Sequence, residues 1–387
     1  MAMPDSANNQ PLRILHAVRA PVGGIMRHIL DLANGQAERG HHIGIVADSL
    51  TGGERADAAL AEIAPRLKLG VHRMPIRREP SPFDALVWFR LRALIAKLKP
   101  DVLHGHGAKA GAYLRIPPSI AGTIRVYTPH GGSLHYPPDT AKGAFYSVLE
   151  RALMNRTSLF LFESAFARDT YQRIIGKPKG LVRCVFNGVT AGEFDSIALA
   201  SDATDIAYVG EFRRIKGADL LIDAVARLRA AGRPVTLTLG GDGEESNAIR
   251  AQIAALHLGD AVRMLGHVKA REGFSKGRLL VVPSRGDSMP YVVIEAGAAG
   301  VPMVAANVGG IPEIFGEHTG ALLAPSNVAA MADAIAAALD DFAATESRTR
   351  ALQQRIRQQF SQHAMVDGVE AGYRAALAAL TAARAAR

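Results

Sequence analysis

The stretch from residue 279 to 306 reads as strand, loop, helix and strand, and that unit restricts the chain to folds with buried parallel strands. Residues 279–282 are apolar, largely β-branched, and stop at Pro283. Residues 284–289 form a polar loop. A helix then runs to about residue 299, with Ser288 as its N-cap and Pro290 in its first turn. Gly300 closes it, and 302–306 is the next strand. A helix entered from a strand end presents unpaired N–H groups and a partial positive charge, which suit a phosphate. Tyr291, Val292 and Val293 stand at that end. Two acids bracket the unit: Asp287 in the loop and Glu295 about two turns into the helix. The first can reach a bound sugar and the second a ribose hydroxyl. The plain alternative is an acidic first turn and a solvated glutamate.

The same rhythm extends in both directions. Strand 12–18, the pair Gly23-Gly24, helix 25–38 and strand 42–47 make a βαβ unit whose glycines let backbone approach a phosphate. Strands at 67–74, 101–104, 124–128, 159–162 and 182–186 follow, with helices at 84–98, 108–116, up to 155, and at 164–174 with Ser164 as cap. Residues 190–204 are small, polar and aperiodic, the pattern of a linker. Beyond them come strand 206–210, helix 218–231 and strands 235–239 and 262–265. After the 279–306 unit a glycine turn at 308–313 leads to helices at 329–339, 348–359 and 365–386. The last carries Val369, Tyr373, Leu377 and Leu380 on one face. Strands alternating with helices predict an α/β architecture of doubly wound parallel sheets.

Composition narrows the class. The 387 residues suffice for two domains with full cores, and 48% hydrophobic against 21% charged residues describes a globular chain. The lone cysteine, Cys184, reads as a core residue, excludes a disulfide framework, and fits a reducing compartment. No apolar run of about 18 residues occurs, so no membrane span is read. Residues 1–11 lack the apolar centre of a signal peptide and read as a loose tail. The net charge is +9, yet the basic residues form no tract and interleave with no aromatics, which argues against nucleic acid. Attraction to anionic lipid or to nucleotide phosphates accounts for the charge. In helix 84–98, Val87, Leu91, Leu94 and Leu98 share a stripe flanked by Arg90 and Lys97, and by Arg92 and Lys99. A docked amphipathic helix is the favoured reading and a membrane-surface helix the other.

Several polar residues fall at strand ends, where open α/β sheets bind ligands. His104 and His106 lie just past strand 101–104, and His130 follows strand 124–128 in Pro-His-Gly-Gly, making His130 the stronger candidate. Lys216 ends Glu211-Phe-Arg213-Arg214-Ile-Lys216 just before a helix. A cation faces the wrong end of a helix dipole there unless an anion lies between them. Gly240-Gly-Asp-Gly-Glu244 has the wrong register for a dinucleotide fingerprint. No Asp-x-Asp occurs, so no metal-bridged diphosphate is expected.

Pro-Ser-x-x-Asp-Ser-Met-Pro-Tyr-Val-Val-Ile-Glu-Ala at 283–296 resembles the Glu-x7-Glu signature of retaining glycosyltransferases of family 4. The resemblance implies the GT-B fold, two Rossmann-like doubly wound domains facing across a cleft. By position Asp287 faces the donor sugar and Glu295 holds the ribose. Asp287 replaces the family's glutamate, and Ser-Met-Pro-Tyr stands where Gly-Phe-Gly-Leu is commoner. Other segments are similar to the family's as well. Gly23 and Gly24 resemble the first glycine-rich loop, which meets pyrophosphate and acceptor, and His130 resembles the histidine beside the sugar. His104 and His106 resemble a His-x-His that is more often structural. Asn187-Gly-Val resembles the end of the first domain. Lys216 matches a diphosphate-binding lysine, while the family's arginine position is Glu211, leaving Arg213 or Arg214 to substitute. Gly266-His267-Val268 resembles the loop that reads the nucleobase, or is a plain turn.

The resemblance implies an acceptor domain at 12–189, with helix 365–386 packing back onto it, and a donor domain at 204–360. His130, Asp287 and Lys216 become the candidate catalytic residues. The implied activity is transfer of a sugar, with retention and without a metal, from a UDP- or GDP-linked donor. The acceptor would be a glycan or lipid-linked hydroxyl in bacterial polysaccharide synthesis. The nucleotide sugar is a co-substrate and no cofactor is expected. The implied place is the cytoplasm, at the inner face of an anionic membrane. A GT-B epimerase acting on a nucleotide sugar and a non-catalytic nucleotide- or glycan-binding module remain as alternatives.

Overall fold

The computed structural model describes residues 10–116, 120–131 and 139–386. The loose tail read at the N-terminus lies outside them up to residue 9. Two compact units result. Residues up to Asn187, joined again from Gln362 onward, form the first, and Gly188–Ser361 form the second.

The first unit alternates without interruption: β1 (Arg13–Val18), α1 (Gly23–Glu38), β2 (His42–Asp48), α2 (Gly53–Ile63), β3 (Gly70–Met74), α3 (Phe83–Leu98), β4 (Val102–His106), α4 (Ala108–Arg115), β5 (Ile124–Thr128), α5 (Ala141–Met154), β6 (Leu159–Phe162), α6 (Ala165–Ile174) and β7 (Leu181–Cys184). The second repeats the scheme: β8 (Thr204–Val209), α7 (Ala218–Ala230), β9 (Leu237–Gly240), α8 (Ser246–Ala255), β10 (Val262–Gly266), α9 (Ala270–Phe274), β11 (Gly277–Val282), α10 (Tyr291–Ala298), β12 (Met303–Ala306), α11 (Ile311–Phe315), β13 (Leu322–Leu323), α12 (Val328–Asp340) and α13 (Phe342–Gln359). The final helix, α14 (Gln362–Ala385), belongs to the first unit.

The sheets have the orders β3-β2-β1-β4-β5-β6-β7 and β10-β9-β8-β11-β12-β13. Their paired strands run parallel throughout. Each is a Rossmann-like sheet wound outward in both directions from its first strand. In each, the direction of winding reverses between two neighbours, β1 and β4 in one unit and β8 and β11 in the other. The carboxyl ends of such neighbouring strands are where open α/β sheets bind ligands.

Helices cover both faces of the first sheet. Ile29, Leu32 and Ala33 of α1 pack with Val366, Val369 and Tyr373 of α14 over Ile14, Ile43 and Val126. Val87, Leu91 and Ile95 of α3 cover Leu15, Val46 and Leu103 on the other side. The buried stripe of α3 is therefore Val87, Leu91 and Ile95, with Leu94 and Leu98 at its margin. Small residues bring α14 close: a Cβ on Gly35 would stand 2.7 Å from Val366, and one on Gly372 would stand 3.0 Å from Leu159.

Several boundaries differ from the sequence reading for identifiable reasons. Helix α10 begins at Tyr291 with Pro290 as its N-cap, so Ser288 is not the cap. A cap at Ser288 would require helical backbone at Met289, which the following Pro290 disfavours. Strand β4 continues to His106, so His104 and His106 lie inside it, where buried polar partners make two mid-strand histidines tolerable. Cys184 is exposed, because β7 is an edge strand whose residues all face outward to some extent. Residues 191–194 of the aperiodic stretch wind into a single 3-10 turn, closed by a capping box between Thr190 and Glu193.

One buried ion pair sets a stability prediction. Arg115 donates to Glu150 at 3.0 Å and lies over the Tyr127 ring, whose hydroxyl donates to Glu150 at 2.7 Å. Replacing Glu150 by Leu leaves a buried guanidinium uncompensated, an expected loss of about 3–5 kcal/mol in denaturant unfolding. Arg115→Leu combined with Glu150→Leu should recover most of that loss. Equal stability of Glu150→Leu and wild type would mean the pair is not what holds α4 to α5.

Candidate functional site

In the second unit, the loops after β8 and β11 meet at the point where the sheet reverses. Lys216 Nζ donates to Asp287 Oδ2 at 2.7 Å, and Ser284 Oγ donates to the same oxygen at 3.2 Å. Both partners are partly buried, at 27% and 15% side-chain exposure, so the pair is less screened than a surface one. Residues 71 apart in sequence are thus brought together. Backbone geometry fixes both loops. Gly217 has φ +74, and a Cβ there would lie 2.2 Å from the Pro283 carbonyl oxygen. Gly309 has φ +59, and a Cβ there would lie 1.6 Å from the carbonyl oxygen of Asp287, to which the Gly310 N–H donates at 3.0 Å. No side chain but hydrogen fits at either position.

Arg285 reinforces this join. Its guanidinium makes two 2.6 Å bonds to Asp219 at the start of α7 and a 2.7 Å bond to the Arg214 carbonyl. Burial would raise the Asp219 carboxyl, but Arg285 outweighs it and holds the group below its usual range. Sequence reasoning missed this pair; an arginine inside the polar 284–289 loop was its only signal.

The remaining candidates of this unit follow β8, β10 and β11. Exposed Arg213 lies 3.7 Å from Glu211 and 3.9 Å from Glu244. Exposed Arg214 meets no carboxylate among the described residues. Tyr291, Val292 and Val293 open α10, whose N-cap Pro290 supplies no side-chain bond, and the Val293 N–H turns back to the Pro290 carbonyl at 3.2 Å. Because that helix starts late, Glu295 sits about one turn in, closer to the loop than the two turns read from the sequence. Gly266 closes β10 with φ +72, His267 is exposed after it, and Val268 packs over Gly240.

The first unit carries its polar groups at the corresponding reversal. Gly23 and Gly24 form the exposed first turn of α1, Gly23 at φ +57, with no capping side chain and no acid in that turn. The same unit holds a cluster of five histidines that the sequence only half revealed. His16 comes from β1, His28 from α1, His104 and His106 from β4, and His130 from the loop after β5. His104 bonds the Tyr373 hydroxyl at 2.6 Å and Thr128 at 2.8 Å, His28 bonds Asn187 at 3.0 Å, and His106 lies between His16 at 3.0 Å and His130 at 3.1 Å. His16 and His28 were missed because single histidines in a strand and on a helix face look like ordinary core or surface. A histidine on the same stripe as Ile29 and Leu32 was the available clue.

Burial keeps these rings neutral. It lowers His16 to about 4 and His130, which keeps part of its surface, to about 3. His28, His104 and His106 are pushed well below the usual range, first by burial and then by neighbouring histidines. Two triads, His16-His104-His106 and His28-His106-His130, bring one ring nitrogen each within 4.8 Å of the others. Among the described residues, these are the groups that could hold a metal ion. In the first triad Gln36, Thr128 and Tyr373 already occupy ring nitrogens, so an ion would have to displace protein hydrogen bonds.

The sign of the pH response follows. These histidines bind protons more weakly folded than unfolded, so stability is intact above about pH 6.5 and falls as pH drops toward the folded values near 4 and 3. Thermal unfolding should show a falling Tm between pH 7 and pH 5, and His16→Asn should flatten the fall. A flat Tm for wild type over that range would contradict neutral burial.

Two family models match the chain: "Glycosyl transferase 4-like domain" over residues 23–188 and "Glycosyl transferases group 1" over residues 203–341. Glycogen synthase of Mycobacterium tuberculosis is 26% identical over 371 residues, covering 88% of each chain. Among solved structures, sucrose-phosphate synthase of Thermosynechococcus elongatus superposes with a TM-score of 0.79 at 24% identity, covering 96% of this chain and 100% of that one. Anabaena HepE, solved with UDP-glucose, gives 0.74 at 20% identity, covering 92% and 97%.

Proposed function

Since the chain belongs to the group 1, family-4-like glycosyl transferases with the GT-B fold, we propose that it moves a sugar from a nucleotide diphosphate to a hydroxyl acceptor with retention. The observation that carries this reading is the Lys216–Asp287 pair at the reversal point of the second sheet. A cation and an acid held 2.7 Å apart match the two charges of a breaking glycosyl phosphate bond: negative on the departing diphosphate and positive on the anomeric carbon. Lys216 and the uncommitted Arg214 would hold the diphosphate, joined by the N-terminus of α10. Asp287 would stand by the sugar and Glu295 by the ribose, with the Gly266–Val268 turn at the base.

The transfer balances without a further reagent. The bond from anomeric carbon to diphosphate breaks and its electron pair stays on the phosphate oxygen. The acceptor oxygen bonds to the same face of that carbon, and its proton passes to the departing phosphate oxygen. Lys216 and Arg214 take the place of a cation on the diphosphate, so the reaction is proposed to need no metal. The solved complex of HepE with UDP-glucose supports a nucleotide-sugar donor.

A glycan or lipid-linked acceptor is proposed for the first unit. Phe83, Leu86 and Phe89 of α3 are exposed beside Arg90 and Arg92, a surface suited to anionic lipid. No helix among the described residues is long and apolar enough to cross a membrane. Action at the inner face of a cytoplasmic membrane, in polysaccharide or glycolipid synthesis, is the setting proposed.

Donor screening with UDP- and GDP-sugars, following release of nucleoside diphosphate, tests the activity itself. Release only when an acceptor is added fits transfer; an altered sugar without acceptor would indicate an epimerase. The two acids should fail differently. Asp287→Asn drops a charge beside the sugar, so kcat falls while nucleoside diphosphate affinity holds. Glu295→Gln weakens binding of the nucleoside diphosphate by about 1.5–3 kcal/mol. Wild-type turnover in Asp287→Asn would remove that residue from the reaction. Separately, activity should survive exhaustive EDTA treatment, and a loss restored by Mg²⁺ or Mn²⁺ would rule out the metal-free account.

A further inference from the structure

A line of three imidazoles runs from the buried amide of Gln36 to His130. Gln36 Oε1 lies 2.9 Å from His16 Nε2, His16 Nδ1 lies 3.0 Å from His106 Nε2, and His106 Nδ1 lies 3.1 Å from His130 Nε2. A neutral imidazole has one donor nitrogen and one acceptor nitrogen, so the three bonds are not independent. An amide oxygen only accepts. His16 therefore carries its hydrogen on Nε2, and its Nδ1 accepts from His106 Nε2–H. The Nδ1 of His106 in turn accepts from His130 Nε2–H. The last nitrogen in the line, His130 Nδ1, is left as an acceptor.

Turning the amide over would reverse every proton, so its orientation decides the outcome. In the structure the amide oxygen faces His16 Nε2 at 2.9 Å, and the amide nitrogen makes no hydrogen bond among the described residues. His104 and His28 have their own partners, Tyr373 with Thr128 and Asn187, and do not interrupt the line. The backbone fixes its far end: His130 is held at φ +48, followed by Gly131 at φ +73. Left-handed backbone at a non-glycine residue persists only where its surroundings over-determine it.

We propose that Gln36, His16 and His106 form a tautomer clamp that holds His130 with Nε2 protonated and Nδ1 bare, as an acceptor for a substrate hydroxyl. The hydroxyl partner rests on the sugar-transfer reading; the clamp does not. Gln36, His16 and His106 are positioning residues, since they act through His130. The line is not a proton wire, because it ends on a carboxamide that takes up no proton near neutral pH. A proton reaching His130 has no exit along it. Its effect is to remove a choice: a free imidazole populates both tautomers, and this one is confined to the form that accepts at Nδ1.

The test is long-range ¹H–¹⁵N correlation NMR on the full chain labelled at histidine, with peaks assigned by single His→Gln variants. His16, His106 and His130 should all show the Nε2–H pattern in the wild type. Gln36→Leu removes the acceptor, and Nδ1–H forms should then appear in the three rings together. Gln36→Glu in its ionised form only accepts, and at a pH where it is ionised it should restore the wild-type pattern. An Nδ1–H form at any of the three in the wild type overturns the clamp, as does a Gln36→Leu spectrum with all three unchanged. In the transfer assay Gln36→Leu should lower kcat by roughly tenfold or more with donor KM nearly constant, and Gln36→Glu should recover it. Shifted tautomers with wild-type kcat would leave the clamp standing and remove His130 from the transfer reaction.

Discussion

A parallel sheet wound in both directions from one strand has a single place where the winding reverses, and both units of this chain gather polar side chains there. The constraint is topological before it is chemical. Strands β1 and β4 bring His16 level with His104 across the pair, and His106 level with Val18 at the strand end. Strands β8 and β11 send out the loops that carry Lys216 and Asp287. Neither pair of loops is adjacent in sequence, so a local motif could not create either cluster. The reversal does so, and the glycines then allow the backbones to close in. At Gly309 the loop from Asp287 approaches so closely that a methyl group would overlap a carbonyl oxygen.

The two clusters use charge in opposite ways. Around Lys216 and Asp287 an ion pair stands partly open to solvent. Around His16 and His106 charge is suppressed: rings that are cationic at mildly acidic pH in water stay neutral because burial makes protonation unfavourable. Neutral imidazoles can both donate and accept, which is why five of them coexist with, among the described residues, Gln36, Asn187, Thr128 and Tyr373 as further side-chain partners. Five cations in that volume would repel one another.

Much of this was legible in the sequence, and what was not has common causes. Alternating apolar runs and turn residues marked nearly every strand, because a strand buried on both faces has little room for polar side chains. Asp287, Glu295 and Lys216 stood out through their places at loop and helix starts. Helix α2 and the first half of α13 escaped notice, since their charged, alanine-rich sequences lack a strong apolar stripe. The start of α10 was misplaced because a serine before a proline looks like a cap, and the restriction a proline imposes on the residue before it was overlooked. His16, His28, Gln36 and Asn187 were invisible as a group. Their partners are set by strand order and by a helix face, which one sequence does not display. Cys184 looked buried because apolar edge strands and apolar core strands share a composition.

The first unit is assembled from both ends of the chain, with the second inserted before its last helix. Synthesis proceeds from the N-terminus, so β1 to β7 emerge while α14 does not yet exist. During that interval one face of the sheet lacks Val366, Val369 and Tyr373, and His104 lacks the hydroxyl it later bonds. The second unit, unbroken in sequence, can complete its own core meanwhile. The order of events in the growing chain is therefore written into its connectivity: the sheet translated first is the one sealed last.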